Sequence, residues 1–363
     1  MPGLVANIPE MPNQLERADF AAGVSIEFIS LLKTLQNADG GWGFHAGEPS
    51  RVEPTCWALR ALSVGSSSVT PSAARNLSSS SIATGTHDFQ SEELRKGAGY
   101  LQSTQLPDGS WPACAEMRAG SWITSLTCSV LAANGQSAKN VAAALKWLCE
   151  DFPRDSSPWM RFVQSLRPKS HIHSQNDSYR GWGWTPKTAS WVEPTAFALM
   201  ALRDAPSEQL PRNAAERRDL AVALLYDRMC PGGGWNCGNP RVYGVDGDAL
   251  VLPTCWALLA LREAPEKPGR ALSLAWLQKE LEKIASAASL AVARMTLENY
   301  GFGRPHASRD LQDWSAQELA AQGTHVLAWV CLALDPARRW APAAVTVNPA
   351  AATMNRDAAG KTS

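Results

Sequence analysis

Glu53 and Glu193 stand in two copies of one phrase, "GWGFHAGEPSRVEPTCWALRAL" (41–62) and "GWGWTPKTASWVEPTAFALMAL" (181–202), which start 140 residues apart. In each copy Glu-Pro-Thr follows the loop tryptophan and leads into a small, apolar run. A carboxyl group against apolar surroundings can act as a Brønsted acid, because burial holds its proton at neutral pH. The same group ahead of a helix-start proline also complements the uncovered amides and the dipole of the helix. The phrase occurs twice where catalysis needs it once, so helix initiation is the first reading and proton donation the second.

Other side chains could share a site with these acids. Asp246 and Asp248 lie in "YGVDGDALV", a Gly-flanked loop that reads equally as a solvated turn or as an acidic lip over a helix mouth. Trp57, Phe197, Trp256 and Trp329 sit in the apolar runs, and Tyr243 sits in that loop; all five are candidates for lining an apolar pocket. His325 opens the run "THVLAW". His171-x-His173 reads as an exposed loop pair, because the sequence places no further ligand beside it.

Composition narrows the classes. Lys plus Arg and Asp plus Glu both total 34, which argues against a general affinity for nucleic acid. The fifteen tryptophans against five tyrosines require a repeated packing role or an aromatic site. Eight cysteines without a CxxC pair read as small buried hydrophobes in a reducing compartment. Neither a signal peptide nor a membrane-spanning run is evident, so the expected location is cytoplasmic, with room for peripheral membrane contact.

The elements that must position these residues come from a long-period repeat. Copies begin at 31, 100, 143, 224 and about 272, each an amphipathic helix, a Gly-rich loop with Trp, and a nearly uncharged helix. From loop Trp to helix-start Thr the interval is thirteen residues in three copies (Trp42–Thr55, Trp111–Thr124, Trp182–Thr195) and nineteen in the fourth, Trp235–Thr254. Trp42, Trp111, Trp182 and Trp235 read as glue between hairpins. Helices apolar all round need neighbours on every side, which favours a closed ring over an open stack. The expected fold is all-α, an α/α toroid of five to six hairpins over residues 25–340. No strands are expected. A 1–24 extension, a Ser-rich excursion (63–93), an insertion (151–180) and a disordered 341–363 tail complete the layout; the tail's Gly-Lys-Thr lacks the other parts of a phosphate loop.

Gln36 before Gly41-Trp42, Gln102 and Gln105 before Gly109-Ser110-Trp111, "GGGWNCGNP" and "EPTAFALMAL" together resemble the terpene cyclase and protein prenyltransferase superfamily. They are similar to the QW-type motif of squalene-hopene cyclases and to prenyltransferase/squalene oxidase repeat proteins. The resemblance covers roughly residues 25–335 and implies an α/α toroid that handles a hydrophobic isoprenoid. It implies acid-initiated cyclisation or isomerisation, with Glu193 or the Asp246/Asp248 pair as donor and inner-helix tryptophans stabilising the cation. The Asp-x-Asp-Asp signature of class II cyclases is absent, and its central Asp aligns with Glu193 and Glu53. Prenyltransferase β subunits bind zinc through Asp-x-Cys and a later His; here Cys255 and His325 remain without the carboxylate. No cofactor is therefore expected, although zinc or magnesium stays open. Two alternatives stand beside the cyclase-like reading: a non-catalytic binding or scaffold ring, and a zinc-dependent prenyltransferase-type subunit with a helical partner.

Overall fold

In the computed structural model, the described residues are 25–65 and 91–335, except 115, 136, 152–158, 160, 161, 163–174, 177 and 304–306. The 1–24 extension, most of the Ser-rich excursion, most of the 151–180 insertion with His171 and His173, and the 341–363 tail lie outside them.

The small apolar runs fold as helices buried on nearly every side: α2 (Val52–Gly65), α4 (Ile123–Ala133), α6 (Val192–Asp204), α8 (Val251–Leu261), α10 (Ala287–Asn299) and α12 (Thr324–Leu334). Each follows an outer helix: α1 (25–34), α3 (Glu92–Ser103), α5 (Ala138–Glu150), α7 (Ala214–Asp227), α9 (Pro268–Glu280) and α11 (Ala316–Gln322). The outer helices bury one stripe; in α3 it is Leu94, Gly97, Ala98 and Leu101, the spacing of a single helix face.

The inner helices pack in the order α2, α4, α6, α8, α10, α12 and back to α2, so the ring closes. Between α2 and α4 the partners advance together, Cys56 with Thr127, Arg60 with Ser129 and Ser63 with Asn134, so these helices run parallel. At the seam, the Thr324 amide donates to the Phe44 carbonyl at 2.7 Å, joining the starts of α12 and α2.

The loop tryptophans explain the repeat. Each donates its indole N–H to the outer-helix Leu carbonyl: Trp42 to Leu32, Trp111 to Leu101, Trp182 to Leu148 and Trp235 to Leu225. Each also donates its backbone amide to the helix-start threonine, Thr55, Thr124, Thr195 or Thr254, at 2.8–3.0 Å. Gln36 and Gln105 then donate to Glu93 and Asn140 carbonyls on the next outer helix. Gly97 leaves room for Trp42, since a Cβ there would stand 3.0 Å from the indole. Trp and Thr thus tie loop to inner helix in four hairpins, and in the first two Gln adds a tie to the neighbouring hairpin.

Two expectations change. The 272–334 stretch contains two hairpins, not one, which brings the hairpins among the described residues to six. A short antiparallel pair also forms, β1 (Arg241–Val242) with β2 (Val245–Asp246). Its turn residues Tyr243 (φ 53°) and Gly244 (φ 79°) both take the left-handed conformation that matches the twist of a two-residue hairpin.

Candidate functional site

In four inner helices the side chain four places after the second helical residue points to the ring axis. Glu53 is followed by Trp57, Glu193 by Phe197, Leu252 by Trp256 and His325 by Trp329, each one turn further along its helix. The four lower aromatics meet. Trp57 stacks on Trp256 with centroids 5.6 Å apart, and Trp329 stands edge-on to Trp57 at 5.4 Å. Phe197 lies 5.0 Å from Trp256 and 6.1 Å from Trp57. All four are buried, Trp57 completely. The expected open chamber is therefore filled at this level: the aromatics form a floor across the axis.

Above the floor, at the helix starts, lies a partly exposed rim. Glu53 and Glu193 are half-buried there. Burial pushes the Glu53 carboxyl up to about 7, against the opposing pull of its hydrogen bond with Trp57. Burial also raises Glu193, whose lower neighbour Phe197 has no N–H to offer. Neither glutamate makes the loop-to-helix bonds; Thr55 and Thr195 do. A carboxyl that keeps its proton near neutrality beside aromatic faces can donate it and leave the resulting cation against π electrons.

His325 completes the rim, edge-on to Trp329 at 5.2 Å and to Phe44 at 5.6 Å. Burial and the nearby His45 lower its imidazole to about 4, so it is neutral at pH 7. Trp122 stands 5.1 Å from Phe197 and 5.5 Å from Trp184. Sequence reasoning passed over Phe44, Trp122 and Trp184. The signal was present: Phe44 and Trp184 hold the same place after the loop tryptophan, and Trp122 precedes Thr124 as Glu53 precedes Thr55.

Other candidates lie apart. Asp246 is exposed on the hairpin and paired with Arg241 at 2.6 Å; Asp248 is exposed, and Tyr243 at the tip is 75% exposed. Cys255 is fully buried on α8, its thiol raised to about 12 by burial despite a hydrogen bond with Thr296. A thiol held protonated is a poor zinc ligand. Among the described residues, no three His, Cys, Asp or Glu side chains gather as metal ligands would. Among them too, no helix is long and apolar enough to cross a membrane.

The opposite end of the ring is polar. Arg203 pairs with Asp204 at 2.6 Å and donates to the Leu259 carbonyl near the end of α8. Arg270 reaches the Leu261 and Ala264 carbonyls, and Arg262 reaches Asn299. Cations at helix C-termini complement the dipoles there. The two mouths of the ring thus differ in chemistry, acidic and aromatic at one, arginine-capped at the other.

No family model matches the chain. The sequence is 27% identical to the drimenyl diphosphate synthase of Streptomyces showdoensis, over 64% of this chain and 45% of that protein. The chain spans less than half the length of that relative. Among solved structures, two complexes of variants of the type II terpene cyclase MstE from Scytonema are similar. One holds geranylgeranyl dihydroxybenzoate as substrate, with TM-score 0.51, 14% identity, and 88% of this chain and 80% of that chain covered. The other holds merosterolic acid A as product, with TM-score 0.51, 13% identity and coverage of 88% and 81%. Sequence and fold are terpene cyclase-like, as the repeats implied.

Proposed function

We propose that the chain handles an isoprenoid at the rim of the ring and starts its rearrangement by protonation, with Glu53 as the acid. The observation that carries this reading is a half-buried carboxyl, raised to about 7, one turn above the four-ring aromatic floor. The Glu53 proton passes to one carbon of a C=C bond, whose π electrons form the new C–H bond and leave a cation on the other carbon. Trp329 and Phe197, the floor rings that keep some exposure, stabilise that cation, a second double bond attacks it, and proton loss to water ends the sequence. Glu53 regains its proton from solvent, so the product is an isomer of the substrate. The inner-helix amides open toward the same end, which suits a diphosphate head group of the kind named for the curated relative. No metal takes part in this reading.

The filled axis supports a second reading, a ring that binds isoprenoid or protein without turnover. Incubation with prenyl diphosphates and with squalene, followed by mass-spectrometric product analysis, separates the two. Cyclised or isomerised product that falls about 10²–10⁴-fold in Glu53→Gln, and less in Glu193→Gln, supports the acid. Product formation unchanged by Glu53→Gln contradicts it, and binding without product supports the second reading.

A further inference from the structure

Below the aromatic floor, α2, α4 and α6 enclose a cavity lined by Arg60, Ser125, Leu126, Ser129, Phe197, Met200 and Asp204. It has room for one water molecule. The hydroxyls at and along α4 show what is special here. Ser121 donates to the Trp111 carbonyl, and Thr124 accepts from the Trp111 amide. Thr127 donates to the Ile123 carbonyl, and Ser129 accepts from Arg60 at 3.0 Å. Ser125 is 1% exposed, and its Oγ has no protein partner. An orphan hydroxyl in a dry pocket would cost the helix the full desolvation of that group.

We infer that this cavity is a binding site for a single internal water, held by Ser125 Oγ together with Arg60 and Asp204. The pocket meets the three conditions for a wet site: room for one molecule, polar walls, and a buried group in need of a partner. Arg60 of α2 and Asp204 of α6 both line the cavity, so a water there would join the two helices that flank α4. Leu126, Phe197 and Met200 supply the apolar part of the wall and confine the molecule. The water is a structural ligand of the ring, independent of any turnover at the rim.

The test is a crystal structure of the full chain that resolves ordered waters, together with xenon pressurisation and the thermal stability of Ser125→Ala. The expected result is one density peak within hydrogen-bonding distance of Ser125 Oγ and of Arg60 or Asp204, with no xenon bound. Ser125→Ala should lower Tm by about 2–4 °C, because the water loses a partner. An empty or xenon-filled cavity, or a Ser125→Ala variant with raised Tm, overturns the inference: removing an unhydrated orphan hydroxyl would stabilise the chain.

Discussion

The loop tryptophans and the axial tryptophans are the same residue type in two physical situations. Trp42, Trp111, Trp182 and Trp235 repeat one geometry, with indole and amide both hydrogen-bonded and the ring sealed between hairpins. Trp57, Trp256 and Trp329 repeat a position but not a partner set; they meet one another across the axis at different angles. A contact made identically in four hairpins belongs to architecture. Side chains that converge once, from separate hairpins onto one point, are where a single site can be built.

Breaking the first set should have the largest effect. Trp111→Ala removes a fully buried indole with its hydrogen bond to the Leu101 carbonyl and should cost about 3–5 kcal/mol, measured by denaturant unfolding. Trp57→Phe sharpens the second set. It should cost less than Trp111→Ala, yet it removes the N–H beside Glu53 and makes this copy of the phrase like the Glu193–Phe197 copy. The Glu53 pKa should then rise further, moving the alkaline limb of the pH–rate profile upward. An unmoved limb would separate Trp57 from the acid.

Stability against pH resolves the rim more finely. The folded chain keeps a Glu53 proton that the unfolded chain releases, so stability from this group is complete below about 4.5 and lost as pH rises through about 7. Glu53→Gln should flatten that slope. His325 acts with the opposite sign: its folded pKa of about 4 lies below the usual 6.5, so its contribution is lost as pH falls through that window. His325→Gln should flatten the acidic side. The smallest effect is expected at the hairpin, where Asp248→Asn should change stability by less than about 0.5 kcal/mol and leave product formation intact, as measured by denaturant unfolding and the product assay.

Much of the fold was legible because its parts are strings. Gln, Gly, Trp and Thr bond to one another over short, repeated intervals, so their joint recurrence announces each hairpin. α10 escaped notice because Arg294 breaks its apolar run; that charge is buried against Asp310, a pairing no local pattern reveals. At the site, the floor residues shared a readable helix position. The rim did not, since the approach of Phe44 to His325 and of Trp184 to Trp122 depends on how hairpins 1 and 6, and 2 and 3, are set side by side. Tyr243 was grouped with the pocket on type alone, and the left-handed turn carries it outward into solvent.

Everything proposed for the rim rests on Glu53 carrying a proton at neutral pH. Carboxyl-carbon NMR of the glutamate-labelled protein, with Glu53→Gln used to assign the resonance, measures this directly. A titration midpoint near 7 is the predicted result. A midpoint near the ordinary 4.5 would leave Glu53 ionised and unable to serve as the acid.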